Sequence, residues 1–154
     1  MSSTDNLTLG IKRSKQLAQA RDLVGALDLA SKLVTDYPDE IEAWLQRAYV
    51  HELNESFAEA ESDLTQALAT NALEPHLYYS RGRMRYHLGR YSEAGGDFQE
   101  GLKLCDVHRN DYYRSELYFW RGAVYLELGD KQAAFDILEL LPDDFVSCIE
   151  QVLS

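Results

Sequence analysis

The sequence predicts an all-α fold, an α-solenoid of about four stacked antiparallel helix pairs closed by a C-terminal helix. Two observations predict it. Ala26, Ala60, Ala94 and Ala134 are separated by 34, 34 and 40 residues. Arg13, Arg47, Arg81 and Arg121 keep the same spacing. Two residue types repeating in phase near 34 residues mark copies of one helical hairpin, and a lone hairpin cannot bury both of its faces, so the copies must stack.

The elements follow in order. Helices are expected over 7–20 and 24–36, 39–53 and 56–69, 75–88 and 91–105, then 110–128 and 131–141. Pro38 and Pro75 are placed at helix starts, where a missing N–H is harmless. Asn54, Gly89 and Gly129 are placed at the turns inside hairpins, where a helix must stop. The last segment sets Phe145, Ile149, Val152 and Leu153 at i, i+4, i+7 and i+8, with Asp143 and Asp144 in its first turn. It is expected to cap the stack. The chain is thus expected to form one domain over 1–154, with units 7–40, 41–74, 75–108 and 115–141 and the cap at 142–154.

Two departures stand out. The fourth unit begins six residues late, around Val107 to Tyr112, so either a loop or the helix from Asp111 is longer. Gly95 and Gly96 fall inside an expected helix, at about 1 kcal/mol each relative to alanine. Close packing, a tolerated surface weakness, the backbone approach of a partner or a flexible third unit are the readings open for them.

The window from Ile41 carries Trp44, Ala48, Phe57, Ala60, Leu64 and Ala67. The window from Pro75 carries Tyr78, Gly82, Tyr91, Ala94, Phe98 and Gly101, and the one from Ser115 carries Tyr118, Gly122, Ala134, Leu138 and Leu141. A degenerate window from Leu7 carries Ser14, Ala26, Ala30, Leu33 and Pro38, with Gly10 where Trp44 and Tyr78 stand later. Over residues 7–141 this pattern resembles the tetratricopeptide repeat family. The resemblance implies a right-handed solenoid whose first helices line a concave groove through positions two, five, nine, twelve and thirteen. Carried over by position, the groove candidates are Leu45, Tyr49, Glu52, His76, Tyr79, Arg83, Tyr86, His87, Phe119 and Ala123. Tyrosine and arginine are frequent binding anchors. Members that grip the charged tails of heat-shock chaperones use Lys and Asn in the first unit and Lys and Arg in the third. Ile11, Lys15, His76 and Ser80 stand at those places, so that function is not expected.

The arginines at the seventh position are followed by Asp28, Asp63, Asp97 and Asp136 at 15, 16, 16 and 15 residues. That offset spans an antiparallel hairpin, so four in-phase Arg–Asp pairs are expected, with geometry rather than stability as their main contribution.

Net charge is -11, with 26 acidic and 15 basic side chains, which argues against nucleic acid or an anionic membrane surface as partner. The charge is uneven: residues 75–121 hold eight basic and six acidic side chains, while 41–74 and 122–154 each hold one basic and seven acidic. A protein or peptide partner, basic or mixed in charge, is expected. Cys105 and Cys148 are too few for a disulfide framework, and no apolar leader or bilayer-length run is visible, so a cytoplasmic location is expected.

Catalytic signatures fail one by one. His51-Glu52-Leu53-Asn54-Glu55 lacks the second histidine of a zinc-protease helix. Gly96 and Gly101 have phosphate-loop spacing, but Leu102 stands where lysine is required. Cys105 and His108 have no second ligand pair nearby. The chain is therefore expected to be no enzyme and to carry no metal or cofactor. It is expected to bind a peptide or segment of a partner protein in the groove. A dedicated chaperone or immunity protein for one secreted or toxic partner is an alternative. So is a homo-oligomeric scaffold formed through the aromatic helix 112–125; its run Tyr112 to Trp120 is too aromatic to bury in one stripe, so some of these rings are expected to face the groove or a partner subunit.

Overall fold

In the computed structural model, residues 2–109 and 111–142 are described, and they form eight helices in two compact units, Met1–Ala72 and Leu73–Ser154. The expected cap over 143–154 lies outside the described residues.

The first unit holds α1 (Ser3–Gln19), α2 (Leu23–Asp36), α3 (Ile41–Leu53) and α4 (Phe57–Thr70). Helix α1 starts four residues before the expected Leu7, because Ser2 and Asp5 close a reciprocal capping box that satisfies two terminal N–H groups. Asp22 caps α2 through the Gly25 N–H at 2.9 Å. Pro38 does not open α3, as was expected. It sits in the preceding turn, where its carbonyl accepts from Trp44 Nε1 at 2.8 Å, and α3 begins at Ile41.

Two clusters of described residues form part of this unit's core, beside buried Ala48, Ala60, Leu64, Ala67 and Leu68. Leu7, Leu33, Val34 and Ala43 pack with Ile11, Tyr37 and Trp44. Ala18, Ala26, Ala30 and Val50 pack with Leu17, Leu23, Leu27 and Tyr49. A polar relay crosses it: buried Gln46 donates to the Ser14 hydroxyl at 3.0 Å, which donates to the Ala26 carbonyl at 2.9 Å. Each buried polar group thus has its partner, as low-dielectric interiors demand.

The second unit holds α5 (Pro75–His87), α6 (Tyr91–His108), α7 (Arg114–Glu127) and α8 (Lys131–Leu138). Pro75 opens α5 at its first turn, as expected. Ala94, Phe98, Leu102, Cys105, Leu117 and Val124 form its core, with Tyr79, Tyr86, Tyr91, Tyr113, Tyr118 and Trp120 packed against them. Small residues admit large ones. A Cβ on Gly82 would lie 2.5 Å from the Phe98 ring, and one on Gly122 would lie 2.6 Å from Leu138.

The late start of the fourth hairpin is mostly helix. Helix α6 has 18 residues against 14 in α2 and α4, so four of the six additional residues extend it through His108. Arg109 then ends it in the left-handed conformation at φ 50°. Helix α7 begins at Arg114 rather than near 110, and Tyr112 and Tyr113 precede it. The aromatic segment 112–125 is therefore only partly helical. Arg114 pins the connection by pairing with both Asp106 and Asp111, and those bonds push its pKa further up.

All four hairpins turn in the same way. Arg21, Glu55, Gly89 and Gly129 have φ of 66°, 55°, 74° and 81°. The next N–H reaches back five residues each time, from Asp22 to Leu17, Ser56 to His51, Arg90 to Arg85 and Asp130 to Tyr125, at 2.8 to 2.9 Å. This is the left-handed closure that satisfies the last helix carbonyls.

Two of the four expected Arg–Asp pairs form. Arg47 holds Asp63 with two hydrogen bonds of 2.8 and 2.7 Å. Arg81 holds Asp97 with two of 3.0 and 2.7 Å, and Arg85 adds a third at 3.0 Å. Among the described residues, Arg13–Asp28 and Arg121–Asp136 do not pair. Arg13 and Asp28 are exposed, and Asp136 accepts from Gln132 instead. The reason is register. The paired acids stand three residues beyond the marker alanine, while Asp28 and Asp136 stand two beyond, about 100° away around the helix.

Candidate functional site

Helix α5 sets His76, Tyr79, Arg83, Tyr86 and His87 at i, i+3, i+7, i+10 and i+11, which is one helical face. Helix α6 packs against both α5 and α7, and the latter two meet along an aromatic seam. The Arg83 guanidinium lies 5.5 Å from the Tyr79 ring and 5.7 Å from the Trp120 ring. Such cation–π placement holds a long flexible side chain against the faces of its neighbouring rings. The Tyr86 ring meets Trp120 edge-on at 5.1 Å, and His87 lies 6.0 Å from the same indole. At the other end, Tyr113 joins Tyr79 at 5.5 Å and His76 at 6.1 Å. Phe119 meets Trp120 at 5.5 Å, and Ala123, half-buried, follows one turn later on α7.

The seam is polar at its ends. The Tyr86 hydroxyl donates to Glu127 Oε1 at 3.1 Å. Burial first, and this carboxylate second, push the Tyr86 phenol up to about 12. Burial, then the neighbouring tyrosines and Glu116, raise the Tyr113 phenol too. Both phenols therefore stay protonated at neutral pH, and that of Tyr86 serves as a hydrogen-bond donor. His76 stands 3.6 Å from Glu74. Most of the side chains are half-buried and His87 is exposed, so the seam offers wide flat rings with polar edges. That combination suits contact with a polypeptide.

Leu45, Tyr49 and Glu52 lie on α3 in the first unit, at i, i+4 and i+7 on one face, and all three are half-buried. Tyr49 packs against Ala18, Ala26, Ala30 and Val50. The positional rule left out Trp120 and Tyr113, the residues that join the α5 candidates to α7. Trp120 occupies the sixth position of its unit, and Tyr113 precedes the unit altogether. A sequence signal existed in the density of aromatics from Tyr112 to Trp120, read above as a surface for self-association.

Nothing in this seam is arranged for catalysis. Cys105 is buried in the core, and burial raises its thiol pKa, which disfavours the reactive thiolate. Among the described residues, no three His, Cys, Asp or Glu side chains converge as a metal site, and no helix is long and apolar enough to cross a membrane.

Two sequence-family models, both described as tetratricopeptide repeat, match residues 45–106 and 115–141, together more than half of the chain. Among curated proteins, Protein SGT1 homolog of Bos taurus is 31% identical over 84 residues, which is 54% of this chain and 25% of that protein. The human protein of the same name is 31% identical over 83 residues. The chain thus spans about a quarter of the length of the curated relatives it matches. Among solved structures, MamA aligns with a TM-score of 0.75 at 16% identity, covering 98% of this chain and 82% of that one. The first repeat domain of Spaghetti (RPAP3), solved with the HSP90 peptide SRMEEVD, aligns with a TM-score of 0.70 at 23% identity. It covers 80% of this chain and 93% of that one. At these identities the structural matches speak for the fold, an α-solenoid of stacked helix pairs.

Proposed function

Because the chain belongs to the tetratricopeptide repeat family and is a non-enzymatic protein–protein interaction module, we propose that its second unit holds a peptide segment of a partner protein along the α5–α7 seam. The observation that carries this reading is the convergence of Tyr79, Arg83, Tyr86 and Trp120 from two helices into one half-buried, amphipathic strip. Rings fixed by packing lose little entropy on binding, so their contact area is turned into affinity efficiently. The strip carries basic His76, Arg83 and His87 beside acidic Glu116 and Glu127, which suits a segment of mixed charge. The acidic flanks of the sequence favour a basic net charge on the partner and a faster encounter with it.

The RPAP3 domain was solved with an acidic HSP90 peptide. By family position, Ile11, Lys15, His76 and Ser80 replace the Lys, Asn, Lys and Arg that grip such tails, so a different segment is expected here. For self-association through 112–125, the notable contact on offer is Tyr112, which is 75% exposed. The α7 aromatics Tyr118, Phe119, Trp120 and Tyr125 are all half-buried within their own unit.

Affinity capture from native lysate tests the reading, with Arg83→Ala and His87→Ala as the variants, since neither fills the core. Partners captured by the wild type and lost by both variants, at unchanged circular dichroism, are the expected result. An unchanged partner set with a folded variant would remove the seam from consideration.

A further inference from the structure

The second unit carries a cleft that the peptide site does not use. It lies between α6 and α7 with a volume of about 250 Å³, and Ser92, Gly95, Gln99, Arg121, Tyr125 and Leu128 line it. That is smaller than the roughly 300–1,000 Å³ of ordinary small-molecule sites but roomy for one side chain and its backbone.

Arg121 makes the cleft chemically specific. Its in-phase equivalents, Arg47 and Arg81, each hold a buried aspartate with two hydrogen bonds. In the last hairpin the place of that aspartate, three residues beyond the marker alanine, belongs to Ile137. Among the described residues, Arg121 meets the Tyr125 hydroxyl at 3.3 Å and the Tyr125 ring at 5.7 Å, and no carboxylate. A guanidinium has five N–H donors in a planar fork, and this one, half-buried, directs one of them to the Tyr125 hydroxyl.

Helix α6 supplies a second observation: Gly95 lines the cleft, and Gly96, exposed, is the next residue outside that lining. A Cβ on Gly96 would meet nothing within 4 Å, and one on Gly95 would meet only Val124 at 3.3 Å. Packing within the unit does not require glycine at 96, although glycine there costs about 1 kcal/mol relative to alanine. The bare helix surface beside the cleft allows another backbone to come close.

We infer that the α6–α7 cleft is a second binding site, which takes an aspartate or glutamate side chain of a partner protein onto Arg121 and that residue's backbone against Gly95 and Gly96. In effect the partner supplies the acid that the last hairpin does not supply itself. This site and the α5–α7 seam stand or fall separately.

Two blocked peptides, acetyl-Gly-Glu-Gly-amide and acetyl-Gly-Gln-Gly-amide, test it by NMR titration of the full chain. The Arg121 Nε–H and the Gly95 and Gly96 amides are expected to shift saturably with the glutamate peptide and not with the glutamine one. Arg121→Gln should abolish the shifts at the two glycines while circular dichroism stays unchanged. Gly96→Ala should raise the midpoint of thermal unfolding yet weaken the glutamate peptide several-fold, a combination that a purely structural role for Gly96 would not give. Equal shifts with both peptides, no saturable shift with the glutamate one, or undiminished shifts in Arg121→Gln would overturn the site. Undiminished affinity in Gly96→Ala would overturn the part given to the backbone.

Discussion

The two units make the same hairpin turn with different residues. In the second unit, Gly89 and Gly129 occupy the left-handed position at no steric cost. In the first, Arg21 and Glu55 occupy it, with the same five-residue return hydrogen bond behind them. The backbone demand repeats at every copy, while the residue that meets it does not. A side chain there costs roughly 1–2 kcal/mol in the left-handed region, and packing on either side must offset it. What repeats most faithfully in such a chain is conformation and packing volume.

Breaking the ion pairs probes that comparison most strongly. Asp63 in the first unit is 3% exposed and answers Arg47; Asp97 in the second is 4% exposed and answers both Arg81 and Arg85. Asp63→Ala is expected to cost about 3 kcal/mol by removing both carboxylate hydrogen bonds of the half-buried Arg47, and Asp97→Ala more, since two guanidiniums lose their bonds to it. Urea unfolding of both variants measures it, and a smaller loss for Asp97→Ala would contradict the ranking.

Next in size is the close approach of α5 and α6. Gly82→Ala places a methyl group against the Phe98 ring and is expected to cost about 2 kcal/mol, read as a lower unfolding midpoint. The first-unit equivalent, Ala48, is already buried as alanine. The turns themselves come third. Glu55→Gly should stabilise by about 0.5 kcal/mol and Gly89→Ala should destabilise by about 1, so the two units respond in opposite directions to exchange at one position. If both exchanges destabilised, the turns would not be equivalent.

The smallest effect is the alkaline pH dependence that Tyr86 contributes in the second unit. The folded-state pKa of Tyr86 lies above its unfolded value, at about 12. Its contribution is therefore complete below pH 10 and is lost as pH rises toward 12, because the unfolded chain releases the proton first. Tyr86→Phe should flatten the fall of the thermal midpoint between those values. A slope unchanged by the substitution would mean that neither burial nor Glu127 raises this phenol.

Much of the fold was legible. The 34-residue beat placed eight helices, and each lies close to its expected span because buried small residues cannot drift without collisions such as those at Gly82 and Gly122. The ion pairs were half legible. An offset of 15 against 16 residues looks trivial in the sequence, yet it turns Asp28 and Asp136 about 100° away from their arginines. Pro38 was misplaced because proline serves turns and first helical turns equally well, and the Trp44 indole bond that decides between them is a side-chain contact. The site was legible in composition but not in assembly. Positional analogy selected His76, Tyr79, Arg83, Tyr86 and His87. Trp120 and Tyr113, which tie them to α7, sit at positions that the repeat pattern leaves unassigned.

Hydrogen exchange on a complex eluted from affinity capture tests the peptide site most directly. Protection concentrated on α5 over 76–87 and on α7 over 119–127, and absent when the partner recovered from the wild-type complex is mixed with the Arg83→Ala chain, is the result expected. Protection confined to other helices, or unchanged by that substitution, would contradict a partner segment lying along Tyr79, Arg83, Tyr86 and Trp120.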